Sequence, residues 1–237
     1  VVAVLREGDV WGLQEALPSQ VAELERALPA FGVVSRTRER DPEAGEACPI
    51  FFRRDRVALD ADDHGTFWLS PTPDEPGSRG WEAALPRIAT WARLVDRDGR
   101  GLYLFNAHFD HRGEVARRES ARVLLARIAD RRHPEDPVVL VGDLNAGPDS
   151  DAVRALLAAA DPPLADAWRA TNPAAPEQPT FNGWRERCEG ARIDWILVSP
   201  GVAVDACTVD LRRPDGRWPS DHAPVVARLA PAAATGR

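Results

Sequence analysis

Methionine and lysine are both absent from this chain of 237 residues, and all 30 basic residues are arginine. Without methionine, residue 1 is not a translation start, so a fragment or a processed chain is expected. No apolar run approaches the roughly 18 residues of a membrane-spanning helix. The opening VVAVLREGDV lacks the basic-then-apolar layout of a secretory signal. Cysteine is scarce: Cys48, Cys188 and Cys207 are the whole complement. Three cannot all pair with one another, and none has metal-site spacing. Free thiols in the reducing cytoplasm are expected, with a Cys188–Cys207 disulfide in an exported protein as the alternative. Positive charge is in deficit, for a net −7. That disfavours a protein holding long duplex DNA by phosphate neutralisation, while a local basic patch stays open.

What remains is 44% hydrophobic and 28% charged, an ordinary globular composition able to bury a sizeable core. Strand-like and helix-like segments alternate. VVAVLRE ends at Gly8 like a capped helix, and DVWGLQ reads as a short strand. SQVAELERALPAFG spaces Val21, Leu24 and Leu28 for an amphipathic helix with Ser19 as cap. CPIFFRR, RVALD, GTFWLS, RIATWARLVD and GLYLFNAHFD are short, aromatic or β-branched, and bounded by turn residues. Asp98-Gly99 marks a hairpin tip. The helix EVARRESARVLLARIADRR carries one apolar stripe, Ala121, Leu124, Leu125 and Ile128. VVLVGDLN, RIDWILVS and HAPVVARLA are further strands, and DSDAVRALLAAA is a helix. DADDHG, from Asp60, is read as a turn; the glutamate of a calcium loop is replaced by Pro71. The pattern predicts an α/β (α+β) fold, a four-layer αββα sandwich with two mixed sheets packed face to face. One domain over 1–230 is expected, with a disordered tail over 231–237.

Several strands end in polar groups that packing does not need. These are Gln14 and Glu15; Asn106, His108, Asp110 and His111; Asp143 and Asn145; Asp194; and Asp221 with His222. Each alone has an ordinary explanation. A strand-end Asp is usually a turn or cap, Asn145 tolerates a left-handed backbone, and Asp194 could pair with Arg192 or Arg187. Together they form a pattern, because mixed α/β folds gather functional groups at strand ends. Oxygen-rich ligands without thiolate suit Mg²⁺ or Mn²⁺. A divalent ion would relieve the repulsion among carboxylates brought so close. Asp143 and Asn145 lie two apart on an extended strand and share a face. An acid that orients water beside an amide that donates to a developing oxyanion suits phosphoryl transfer.

The ordered set LQE, NAHFDH, GDLN, RIDW and SDHAPV resembles the endonuclease/exonuclease/phosphatase superfamily, with its deoxyribonuclease I-like fold. The resemblance runs from about residue 2 to residue 229. Its GTFWLSPTPDEPGSRGWEAALPRIATWARL segment looks like a bacterial subgroup of unassigned substrate. The resemblance implies Glu15 and Asp221 at the metal, and Asp143 at the nucleophilic water. It puts Asn145 at the scissile phosphate, and His108 as phosphate stabiliser or acid to the leaving group. His222 becomes a phosphate-binding group or base, oriented by Asp194. Arg87 is implied as a substrate-phosphate contact. Asp110 and His111, in the subgroup pattern HxDHxGxxAR, serve either substrate selection or support, and Glu46 marks a loop facing substrate. Relatives open with a strand of the type ATFN, upstream of LQE, which this chain lacks; the N-terminal strand is therefore expected to be missing.

The resulting expectation is a monomeric, Mg²⁺-dependent hydrolase of phosphoester bonds, a phosphodiesterase or phosphatase. An endo- or exonuclease on DNA or RNA is the first alternative, which net charge disfavours. An inactive fragment or non-catalytic binding member is the second.

Overall fold

Side-chain alternation along one strand sets the architecture. Within Gly101–His108, Tyr103, Phe105 and Ala107 enter one apolar core, while Leu102 and Leu104 enter another. A strand alternates faces residue by residue, and a sheet apolar on both faces must be covered on both. The computed structural model describes residues 1–231. In chain order its elements are α1 (Val2–Leu5), β1 (Val10–Gly12), α2 (Pro18–Ala27), β2 (Phe31–Val34), β3 (Ile50–Arg53), β4 (Val57–Trp68), β5 (Ile88–Asp96) and β6 (Gly101–His108). They continue with α3 (Glu114–Ala129), β7 (Val138–Asp143), α4 (Asp151–Leu157), β8 (Ala165–Asp166), α5 (Ala167–Thr171), β9 (Asp194–Val198), β10 (Val202–Val209) and β11 (Val225–Pro231).

A six-stranded sheet runs β4-β5-β6-β7-β9-β8. Only β6 and β7 pair in parallel; the other neighbours are antiparallel. The second sheet layer comes as two antiparallel pieces, β1-β3-β2 and β10-β11. Three cores separate four layers. Ala121, Leu124 and Ile128 of α3 and Val153 and Leu156 of α4 cover one face of the large sheet. Its other face packs on Ile50 and Phe52 from one small sheet and Cys207 from the other. Leu5 of α1 and Val21 and Leu24 of α2 cover Phe31 and Phe51 on the outside. This is the αββα sandwich predicted from the sequence.

Details differ where local signals were ambiguous. RVALD and GTFWLS are one strand, β4, whose register against β5 slips between Leu59 and His64. The DADDHG segment is that irregularity rather than a free turn. Helix α2 starts at Pro18, and the backbone N–H of Leu17 donates to Gln20 Oε1 at 2.9 Å, so Ser19 lies inside the helix. Strands β2, β8 and β10 and helix α5 are further elements that the sequence reading did not assign, although β10 opens directly after the turn pair Pro200-Gly201. The three cysteines are free thiols. Of the tail expected over 231–237, Pro231 closes β11 and the rest lies outside the described residues.

One buried amide ties the two sheet layers together. Asn106 of β6 is fully buried, and its Nδ2 donates to the carbonyls of Leu13 (2.7 Å) and Pro49 (3.0 Å). Its Oδ1 accepts from Gln14 Nε2 at 2.6 Å. Gly12 permits this approach, since a Cβ there would lie 2.7 Å from Asn106 Cγ. The tie holds the end of β1, and with it Glu15, against the large sheet. Replacing Asn106 with Ala orphans the Leu13 carbonyl in the interior and is expected to cost on the order of 2 kcal/mol, measured by denaturant unfolding.

Candidate active site

Strand register builds the site. His108 of β6 stands beside Asp143 of β7, and Asp143 beside Asp194 of β9. Neighbouring strands lie about 4.8 Å apart, so the three side chains form one row at the sheet end. All three occupy the face toward the second sheet layer, in phase with Leu104, Val139, Val141, Ile196 and Val198 of the core between the sheets. Gly142 makes the row feasible: its φ is +143°, and a Cβ there would lie 1.9 Å from the Ala107 carbonyl oxygen.

Beyond the row the chain turns sharply at Asn145 (φ 47°). Its backbone N–H donates to Asp143 Oδ1 at 2.7 Å, and its Nδ2 donates to the Phe109 carbonyl (3.1 Å) and Asp143 Oδ2 (3.2 Å). The same Nδ2 lies 3.2 Å from His108 Nε2. Asp143 is 5% exposed. Burial, then the charge of Asp194, pushes its carboxyl up to about 7.

His222 arrives from the other side of the cleft. Its Nδ1–H donates to Asp194 Oδ2 at 2.8 Å, and its Nε2 lies 3.9 Å from Asp143 Oδ2. Burial opposes its charge, but the hydrogen bond and charge of Asp194, with Asp143 and Asp221, raise it to about 9. His222 is therefore a cation at neutral pH. His108 is the reverse case: burial, then Arg87 and Arg38, hold it well below the usual histidine range. Arg87 Nη1 lies 2.9 Å from His108 Nδ1. The same Nη1 lies 3.0 Å from His108 Nε2, so the guanidinium, which can only donate, meets both ring nitrogens.

Glu15 faces this group from the end of β1. Its backbone is left-handed (φ 60°), its Oε1 is 3.9 Å from His108 Nε2, and its side chain is 60% exposed. Arg87, buried, also places Nη2 3.0 Å from His111 Nδ1. Asp110 accepts backbone N–H groups from Ala84, Arg112 and Gly113 at 2.7–2.9 Å, which outweigh burial and lower its carboxyl. It fastens two loops and lies 3.9 Å from Arg87 Nε. Asp221 is the most peripheral: its carboxylate meets Ser220 Oγ at 3.3 Å, while its carbonyl accepts from Asn182 and Gly183. Asn106 lies beneath the cleft, in the tie between the sheets.

Sequence reasoning missed three groups. Thr180, fully buried, accepts from the N–H groups of Ile193 and Asp194 and fixes the start of β9. Phe181 sets its ring edge-on to His222, with centroids 5.0 Å apart. Arg38 lines the same cleft as Glu15, Glu46, Arg87 and His108. All three belong to irregular segments without periodicity. A second carboxylate–imidazole group, Asp60, Asp63 and His133, lies among β4, β6 and the loop before β7. Arg93 bonds Asp60 and Tyr103 bonds Asp63, so these acids are already engaged.

A four-layer sandwich with acids, amide and imidazoles in one row at its strand ends defines the class. The chain belongs to the Endonuclease/Exonuclease/phosphatase family, whose family model matches residues 1–222. A family structure from Bacteroides vulgatus is similar at 34% identity and TM-score 0.87, covering 97% of this chain and 87% of the other. A mannosyl-6-phosphatase from Bacteroides thetaiotaomicron is similar at 31% identity and TM-score 0.83, covering 96% and 87%. The human nocturnin catalytic domain shares the fold at 19% identity and TM-score 0.75, covering 97% and 83%. No curated protein matches the chain.

The His222–Asp194 bond makes a pH prediction. The folded value of His222 lies above the ordinary 6.5, so the bond contributes stability in full below that pH and loses it as pH rises through about 9. In metal-free protein, NMR titration of His222 should give a midpoint near 9, and Asp194→Asn should move it down toward 6.5.

Proposed function

We propose that this protein is a divalent-metal-dependent hydrolase of phosphoester bonds, acting on small phosphorylated molecules. The observation that carries the reading is the convergence of Glu15, His108, Asp143, Asn145, Asp194 and His222 on one cleft. The family match and the mannosyl-6-phosphatase similarity support it.

Glu15 and Asp221 would hold Mg²⁺ or Mn²⁺, which favour oxygen ligands. Beside them, Asp143, Asp194 and His222 bring ligand atoms within 4.8 Å of one another, and two carboxylates so close favour a cation; Glu15 and Asp221 stand outside that group. The chemistry supplied with such an ion bound is charge neutralisation at the phosphoryl oxygens.

The chain's own groups divide the remaining work. Asp143, held up by burial, orients water and takes its proton as the water attacks phosphorus. Asn145 Nδ2 and the His108 ring stand side by side, 3.2 Å apart, to hydrogen-bond a phosphoryl oxygen. His108 is kept neutral, which suits it to hydrogen bonding rather than to acid catalysis. His222, kept charged by Asp194, neutralises a second oxygen. Arg87 holds the His108 ring in place. Asp110 and His111 position Arg87, and His111 is exposed enough to meet substrate. A nuclease is the second reading; the net charge of −7 counts against long duplex DNA.

Turnover of p-nitrophenyl phosphate or a sugar phosphate is expected with Mg²⁺ and should be abolished by a chelator. Asp143→Ala should lower kcat by about 10²–10⁴-fold, the range for a general acid–base group, in steady-state assays. Retained turnover in that variant would overturn the role of Asp143. Plasmid nicking without phosphatase activity would favour the nuclease.

A further inference from the structure

One tryptophan stands in water. Of the eight in the chain, seven are buried or half-buried, whereas Trp184 is 67% exposed. An indole is among the largest apolar groups a fold can bury, so leaving it out forfeits stability. Its backbone adds to that cost. Trp184 has φ 64°, a left-handed conformation that is a genuine outlier for a bulky residue. Such strain persists only where the surroundings impose it. Here they do. The Trp184 N–H donates to Asn182 Oδ1 at 2.8 Å. Asn182 is buried; its N–H donates to the Asp221 carbonyl at 2.8 Å and its Nδ2 to the Ser220 carbonyl at 3.0 Å. The Gly183 N–H donates to the same Asp221 carbonyl at 3.1 Å, and the Ala223 N–H to the Thr180 carbonyl at 2.7 Å. The loop is thus bonded to the chain on both sides of His222. Past Trp184, the Arg185 carbonyl accepts Trp218 Nε1–H at 2.7 Å, which ties the loop from its other end.

This loop borders the cleft. Phe181 sets its ring edge-on to His222, 5.0 Å between centroids. Gly183 lies against the same ring, since a Cβ there would stand 3.0 Å from Phe181 Cζ. A phosphoryl group held at His222 therefore has Phe181 for a neighbour, and Trp184 follows on the same loop. The indole is flanked by the exposed Arg185, Glu186 and Arg187. An open aromatic face beside charged donors and acceptors suits a ring with an apolar C–H face and hydroxyls at its edge, because each hydroxyl both donates and accepts. Resting on the phosphoester reading above, we propose that Trp184, with Phe181, is the platform for the ring of a cyclic sugar phosphate, and that through it the enzyme prefers such sugars to phosphate esters of open-chain alcohols.

The test uses the Mg²⁺-loaded enzyme with glucose 6-phosphate and glycerol 3-phosphate, both monoesters of a primary alcohol, and with 5′-AMP. Wild type should prefer glucose 6-phosphate to glycerol 3-phosphate. Trp184→Ala should lower kcat/KM for glucose 6-phosphate by about 10-fold, the order of one aromatic contact, and that for glycerol 3-phosphate by less than about 2-fold. The loss should lie in KM rather than kcat, since the platform touches the ring and not the reacting atoms. Trp184→Tyr, which keeps an aromatic face, should restore most of it. The ratio of the two activities is the readout, because a partly misfolded variant lowers both alike. A wild type that favours glycerol 3-phosphate, or a ratio unchanged by Trp184→Ala, would overturn the platform. A larger loss on 5′-AMP than on glucose 6-phosphate would mark a surface for bases and overturn the sugar assignment. If wild type turns over none of the three, the hydrolase reading fails on its own. Calorimetry with glucose 6-phosphate then decides the platform, which requires weaker binding by Trp184→Ala; equal binding, or none by either protein, would overturn it.

Discussion

The register of three hydrogen-bonded strands is the constraint on which everything else rests. His108, Asp143 and Asp194 are neighbours across β6, β7 and β9 because the backbone ladder places them so. A slip of one residue would turn each side chain to the opposite face. The apolar residues below them prevent that slip. Leu104, Val141 and Ile196 share the face of that row and are committed to the core between the sheets. The chemistry at the rim is thus specified by hydrophobic residues deeper in the same strands.

The row also explains why two histidines in one cleft carry opposite charge states. His108 is buried beside cationic arginines, whereas His222 is bonded to a carboxylate. Neither state follows from the residue type, whose ordinary value lies near neutrality. Both follow from which strand end supplies the neighbour. A neutral imidazole and a fixed cation on two sides of one buried acid suit the phosphoryl chemistry proposed above.

Much of this was legible in the sequence. The layered fold was readable because strands and helices alternate with clear turn residues. The row was readable because its members sit beside apolar runs. Asp143 closing one apolar strand and Asp194 opening another are local signals, whereas Asn145 reaches the site through a left-handed turn rather than along the extended strand expected. Asn106 shows where such signals stop. It shares the strand face of His108, two residues away, and period alone cannot separate them. The difference is depth: Asn106 meets the Leu13 and Pro49 carbonyls before any substrate could reach it. Arg38, Thr180 and Phe181 were invisible for another reason. Their partners lie far along the chain, and the loops carrying them have no period to read.

That buried amide has a consequence for how the enzyme should respond to heat. The contact bracing Glu15 at the rim also joins the two halves of the core. The working groups therefore have no separate, softer subunit of structure that could loosen first. Warming should leave catalysis intact until the sandwich as a whole comes apart, so inactivation and melting would coincide.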